Sequence, residues 1–459
     1  MRRIIKSLES NFKRTSRARV SSADHIQDFG RREIFRKVAC GVAIPAALFL
    51  TEATAESSSQ NISEPDSFRA MPFKHGLITR DFGDPWIELM RLLHEAAEVE
   101  HSLMIQYLYA AFSIKKDYQK IIGYGAPGSN DLLGVAIQEM QHLGKVNQLL
   151  VALGAAPTLI REDFPYEPEI YPFVFNLEPL SHGSLAKYVW TESPPGATDF
   201  RRAENDEDRK FCQNIELALG NNPRPNYIGN LYDSIIYVMK ELDALKDLNI
   251  PDLRPWISEI HDIKTQGEVD HFRFFKSLFT GNHAGFGGVS DVWSRPASDP
   301  RYPANQLLLN PTAYQGHDRQ IQDPQACSLA WLGNLHYWII LNLLSEGYSH
   351  GSSEHIALAR AHMMGPFLTL AGKLSVAGAG MPFDPLGIGY SPGLTRQANT
   401  RILSHLLNET DKLEKLLNTV LPADYPENFC QMTLTAIKRL EPKINAAHAP
   451  ILPWDDGLA

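Results

Sequence analysis

The sequence is poor in cysteine, with four in 459 residues. Cys40, Cys212, Cys327 and Cys430 form no Cys-x-x-Cys pair and keep no regular spacing, which argues against a thiolate zinc site and against a disulfide framework. Strand-period alternation long enough to build a sheet is missing, as is any internal repeat, so a sheet protein and a solenoid are set aside. Positive charge is scarce where nucleic acid would need it. The net charge is −9, yet residues 1–55 hold 11 Lys/Arg against 5 Asp/Glu, a net of +6, which leaves −15 on residues 56–459. A body that acidic argues against a nucleic-acid partner. What the chain does have is 44% hydrophobic content, ample for large buried cores in two or three domains.

The excess of positive charge sits in a segment that reads as a twin-arginine-type signal peptide, residues 1–55. A basic lead ends in Gly30-Arg31-Arg32-Glu33-Ile34-Phe35-Arg36-Lys37, an uncharged run follows from Val38 to Leu50, and Ala53-Thr54-Ala55 supplies a small-residue cleavage site. Thirteen residues are too few to span a bilayer comfortably, so the expectation is an exported, periplasmic protein with no stable membrane span after cleavage. The alternative is a basic tail leading into a buried helix. Cys40 is not preceded by a lipobox. The twin-arginine route carries folded proteins, which suits a cofactor loaded before export. Residues 56–75, Ser- and Glu-rich at first, read as a linker.

Residues 84–154 organise the rest. The pattern predicts a helix over about 84–115, with Pro85 in the first turn and a seam of Leu89, Leu93, Ala96, Ala97, Glu100, Met104, Tyr107 and Ala111. A second helix is expected over about 129–153, capped by Ser129 or Asn130, with Glu139 and His142 on its apolar face and Gly154 just past its end. Glutamates facing one another inside a bundle need a proton, a cation or a metal. A long connection, 155–222, holds one short helical piece near 184–191. A third helix follows at about 227–248 and a fourth at about 253–279, where Glu268 and His271 repeat the Glu-x-x-His spacing. Helix pair, long crossover, helix pair is the wiring of an all-α, ferritin-like four-helix bundle, here residues 76–280. A loop-rich connection, 281–324, leads to a C-terminal helical region, 325–459, with helices expected near 325–347, 354–378, 394–420 and 426–446.

Two Glu-x-x-His helices plus a glutamate on each of the others is the ligand set of carboxylate-bridged di-iron or di-manganese bundles. Hard carboxylates and borderline imidazoles suit iron or manganese. The candidate metal ligands are Glu100, Glu139, His142, Glu268 and His271. The third helix departs from the pattern: Asn230 stands where a glutamate is expected, with Asp233 and Glu241 nearby. A third Glu-x-x-His, Glu98 to His101, lies on the face with Arg91 and His94 and reads as solvated or supporting. Tyr107, seven residues after Glu100, is the candidate radical or gating tyrosine. The competing reading is a buried Glu/His hydrogen-bond network that only holds the bundle in register.

At these residues the chain resembles the ferritin-like family of the iminophenyl-pyruvate dimer synthase, or violacein-pathway, type. The matching words are 93–101 (LHEAAEVEH) running into Gln106-Tyr107-Leu108-Tyr109-Ala110, Glu139-Met140-Gln141-His142-Leu143, Ala152-Leu153-Gly154-Ala155-Ala156-Pro157, Ile228-Gly229-Asn230-Leu231-Tyr232 and Gln266-Gly267-Glu268. The likeness covers roughly 80–280, with a weaker echo near 334–343 and 363–374. It implies a ferritin-like bundle and, for the reaction, oxidative dimerisation of an imine of an aromatic keto acid. The expected activity is an exported oxidoreductase with two metal ions, iron or manganese, oxidising a small-molecule substrate with O2 or peroxide. A non-catalytic metal-binding or scaffold protein is the alternative from another class.

Overall fold

Helix start signals set the architecture. Pro85 and the Asp84 carboxylate, which accepts from the Ile87 amide at 2.9 Å, begin α1, Pro85–Ser113. Such a cap contributes about 1 kcal/mol. The helix is buried on nearly every face, as expected of a bundle's central rod. The second helix, α2, spans Leu132–Ala152, and its cap is Asp131, not Ser129 or Asn130. The Asp131 carboxylate accepts from Gly128 N and Gly134 N, both at 2.7 Å, closing a turn that the other two cannot close. Gly134 is required there, because a Cβ would run into the Gly128 carbonyl.

In this computed structural model, the residues described are 77–440 apart from 126, 162–169, 171–172, 174–175, 222–225, 246–249, 290 and 386–394. They fall in one compact unit. The expected signal peptide, the linker and the last stretch of the fourth C-terminal helix lie outside the described residues. Those described are helical, with isolated bridges but no strand.

The long connection holds two helices rather than one: α3, His182–Glu192, and α4, Asp206–Leu219. The second escapes notice in the sequence because it buries only Phe211, Cys212, Ile215 and Leu219, a narrow stripe on an otherwise charged helix. Next come α5, Ile228–Leu245, and α6, Arg254–Gln266, which runs through a π turn, Gly267–His271, into α7, Phe272–Phe279. Helix α1 packs against α2 and α5, α5 against α6, and α2 against α6, which closes the bundle. The crossover helix α3 lies against α7.

The C-terminal half adds α8, Pro324–His350; α9, Ser353–His362; a π turn, Met363–Phe367; α10, Leu368–Val376; α11, Arg396–Leu416; and α12, Phe429–Leu440. Helix α8 packs on α2, and α10 on α1. One hydrophobic core runs from Ile78 to Ile437 through both halves. Among the described residues, α8 is the helix long and apolar enough to cross a membrane, but 89% of its most apolar window is buried in protein. Cys212, Cys327 and Cys430 are free.

Candidate metal centre

Helix α1 delivers Glu100, α2 delivers Glu139 and His142, α3 delivers Glu192 and the π turn delivers His271. All five are buried, none more than 5% exposed. They form two overlapping triads, Glu100–Glu139–His142 and Glu139–Glu192–His271, with Glu139 common to both. The carboxylate of Glu139 faces a different imidazole with each oxygen. Its Oε2 lies 2.8 Å from His142 Nδ1 and its Oε1 lies 2.9 Å from His271 Nδ1. Glu100 Oε2 is 3.5 Å from His142 Nδ1, and Glu192 Oε2 is 3.6 Å from His271 Nδ1. The imidazole centroids stand 5.6 Å apart.

The surroundings are paired in the same way. His142 Nε2 donates to Gln266 Oε1 at 2.7 Å and His271 Nε2 to Gln138 Oε1 at 3.0 Å. Both rings thereby hold Nδ1 toward the centre, the outer-shell bracing that metal-binding histidines need. The Tyr107 hydroxyl donates to Glu192 Oε1 at 2.5 Å, and the Tyr232 hydroxyl donates to Glu100 Oε1. Tyr107 is locked by an edge-on contact with Tyr188 and by Phe275.

Three buried atoms here, Glu100 Oε2, Glu139 Oε1 and His271 Nδ1, have no hydrogen-bond partner. Glu139 Oε1 and His271 Nδ1 lie 2.9 Å apart yet out of hydrogen-bonding alignment, and buried polar atoms left unpaired in this way beside a third, Glu100 Oε2, are what cations between them would satisfy. The donors are carboxylate oxygens and imidazole nitrogens, a set suited to iron or manganese. Each triad offers three protein donors and leaves coordination positions for other ligands.

Without cations, protons do the balancing. Burial and the Glu139 charge push Glu100 up to about 8. Burial, then Glu139, also raises Glu192. Burial disfavours the Glu139 anion, but His271 and His142 outweigh it and hold that carboxyl below its usual range. Burial likewise opposes the two imidazolium ions, yet Glu139 brings His271 up to about 10, and Glu100 leads the raising of His142.

Two expected ligands lie elsewhere. The wider π turn rotates Glu268 away from His271, so the pair no longer shares a face. Glu268 turns instead toward Gly229, whose missing Cβ makes room for its Oε1, and pairs with Lys264 at 3.8 Å. The charges acting on it are Lys264, Asp233 and His261, none from the centre. Asn230 is buried, but its amide donates to Asn226 Oδ1 at 3.3 Å, and Tyr232 is the α5 residue that reaches Glu100. Asp233 pairs with Lys264 and Glu241 with Arg80, both away from the centre. The carboxylate that sequence reasoning missed is Glu192. It was legible in principle: Leu185, Val189 and Glu192 continue one apolar seam of α3, the same pattern that singled out Glu100. His101 is not solvated. It is fully buried, and its Nε2 lies 2.8 Å from the Tyr337 hydroxyl of α8.

Residues 93–278 match the Ferritin-like family model, so the bundle that holds these side chains is a ferritin-like domain. The chain is similar to dichlorochromopyrrolate synthase of Lentzea aerocolonigenes, 25% identical over 328 residues, which is 60% of this chain and 32% of that one. It is also similar to 2-imino-3-(indol-3-yl)propanoate dimerase of Chromobacterium violaceum, 35% identical over 136 residues, 23% of this chain and 13% of that one. The chain thus spans about a third or less of the length of these curated relatives. No solved structure matches it.

Proposed function

We propose that this protein is an exported di-metal oxidoreductase that oxidises a small organic substrate with O2 or peroxide. The observation that carries this reading is the shared Glu139, flanked on each side by one terminal glutamate and one histidine Nδ1. Glu100, Glu139 and His142 would hold one metal, and Glu139, Glu192 and His271 the other. Iron is the first choice and manganese the second. The metals would supply one-electron chemistry with oxygen. The chain's own residues fix the donors: Gln138 and Gln266 orient the imidazoles, while Tyr232 and Tyr107 orient the terminal carboxylates. Tyr107 is the catalytic residue in this reading, because its proton is already shared with Glu192 and can pass there if the ring gives up an electron.

Elemental analysis and an absorption spectrum of protein purified from its own compartment test the proposal. About two metal ions per chain are expected, lost together in Glu139→Ala. Metal-free protein that is fully folded would leave the register-holding network in its place. Turnover separates an enzyme from a metal-binding scaffold: Tyr107→Phe should keep the metal and lose most of the activity.

A second reading names the substrate. One relative is named as a synthase of dichlorochromopyrrolate and the other as a dimerase of an indole-bearing imino acid, which favours oxidative coupling of an imine of an aromatic keto acid. Incubation of the metal-loaded protein with freshly generated 2-imino-3-(indol-3-yl)propanoate, followed by mass analysis for a dimer, decides it.

A further inference from the structure

Across α2 from the proposed metal ligands lies a groove. At about 100° per residue, Ile137, Gln141, Gly144 and Gln148 fall on the side of α2 opposite Glu139 and His142. Facing them are α8, α9 and the π turn Met363–Phe367. Three cavities lie end to end here, of about 70, 390 and 350 Å³. The first two share Ile137, Met140, Leu344, Met363 and Met364, and the last two share Gln148, Tyr348, Ile356 and Arg360. The groove is therefore continuous, almost wholly apolar at its inner end and with polar groups (Gln148, Tyr348, Ser352, Arg360) among apolar ones at its mouth, and its volume is in the range of small-molecule sites.

Three features fix what it would take. The first is charge. In a chain with 53 Asp/Glu against 44 Lys/Arg, the described lining of all three cavities has no acid and two cations, Lys145 and Arg360. Lys145 is paired with Glu259 at 2.6 Å, whereas Arg360 has no ion pair or hydrogen bond among the described residues. The second is Tyr348, 8% exposed, whose hydroxyl has no hydrogen bond among the described residues and stands 3.2 Å from where a Cβ on Gly144 would be. Glycine at 144 keeps that hydroxyl in place at the groove. The third is the wall. Pro366 lacks an N–H and Gly365 leaves helical geometry at φ −99, ψ −106, so the chain takes a wide turn that leaves Met364 55% exposed beside the groove. Unbranched, polarisable methionines suit an apolar guest of variable shape.

We propose that this groove binds a monocarboxylate with an extended apolar body. The carboxylate is held by the Arg360 guanidinium and the Tyr348 hydroxyl, and the chain lies between Met140, Leu344, Met363 and Met364. A guanidinium fork and a phenol are a strong donor pair for a carboxylate. The site is separate from the metal centre, so its test does not depend on metal content. Calorimetric titration of the full chain with dodecanoate, dodecanol and dodecyltrimethylammonium, each below its aggregation limit, decides it. The expected result is saturable 1:1 binding of dodecanoate, weakened at least tenfold in Arg360→Gln and several-fold in Tyr348→Phe, with melting temperature and metal content unchanged. Dodecanol should bind at least tenfold more weakly than dodecanoate and be indifferent to Arg360→Gln. Equal affinity for the three ligands, no binding, or dodecanoate binding untouched by Arg360→Gln would each overturn the proposal.

Discussion

At the scale of single residues, the centre separates two glutamates that sequence spacing had treated differently. Glu192 closes one triad, and Glu268 lies outside both. Glu192→Ala should therefore lower the metal content from about two to about one per chain, while Glu268→Ala leaves it unchanged; the reverse pattern in elemental analysis would sink the assignment. Glu100 makes a prediction with opposite signs in two states. Its carboxyl is raised to about 8 in the absence of cations, so the folded protein prefers it protonated. That preference costs nothing below the unfolded value near 4.3 and becomes a growing penalty as pH rises from there toward 8. At pH 8, Glu100→Gln should thus raise the melting temperature of chelator-treated protein and lower that of metal-loaded protein. A variant that melts lower in both states would mean that Glu100 is a structural hydrogen-bonding group and no more. Asn230 belongs to the same scale. Its amide is bonded to Asn226, and two residues of helix put it on the side of α5 opposite Tyr232, which reaches Glu100, so Asn230→Glu should bury an unpaired carboxylate, cost about 2–3 kcal/mol in a urea titration and leave metal content alone.

At the scale of elements, the two π turns sit at the two places where chemistry is proposed, His271 at one and Met363–Phe367 at the other. Neither could be read from periodicity. A π turn adds a residue without changing composition, so the seam through Glu268 and His271 looks regular in sequence and is broken in space. Gly267 carries a trace of it: a Cβ there would stand 3.0 Å from Glu192 Oε2. Gly267→Ala should push that carboxylate away and weaken the second metal position more than the first, seen as biphasic metal release during chelation. The bundle helices themselves were legible, because Glu100, Glu139 and His142 interrupt long apolar seams where only a compensated charge can stand. Helix α4 was not, since four buried residues in fourteen leave little periodic signal. His101 misled for another reason. Its face looks polar on α1 alone, and only the packing of α8, which brings Tyr337, makes it interior.

At the scale of the whole molecule, one core unites the ferritin-like domain with the C-terminal helices, so α8 packs on α2, which carries two of the proposed ligands, and walls the groove on the far side of that helix. Such a core has to be assembled as a unit, and its centre is closed: the proposed ligands are at most 5% exposed. Metals that enter a site this deep enter most readily while the chain is folding, before it is closed. That requirement bears on the proposed export. A chain threaded unfolded through a membrane would have to find its metals afterwards, in competition with whatever cations the outer compartment holds. A chain carried folded by the twin-arginine route takes them in the cytoplasm. Gly30-Arg31-Arg32-Glu33 is the feature that points to the second route. Replacing both Arg31 and Arg32 by lysine keeps the charge and removes the pair. The expected outcome is precursor retained in the cytoplasm, folded and with its metal complement, by fractionation and elemental analysis of the retained protein. Export of the double-lysine chain at the normal level would end the twin-arginine assignment. Retained precursor that is folded but empty of metal would show that loading happens after export, and the argument from the depth of the centre would fail with it.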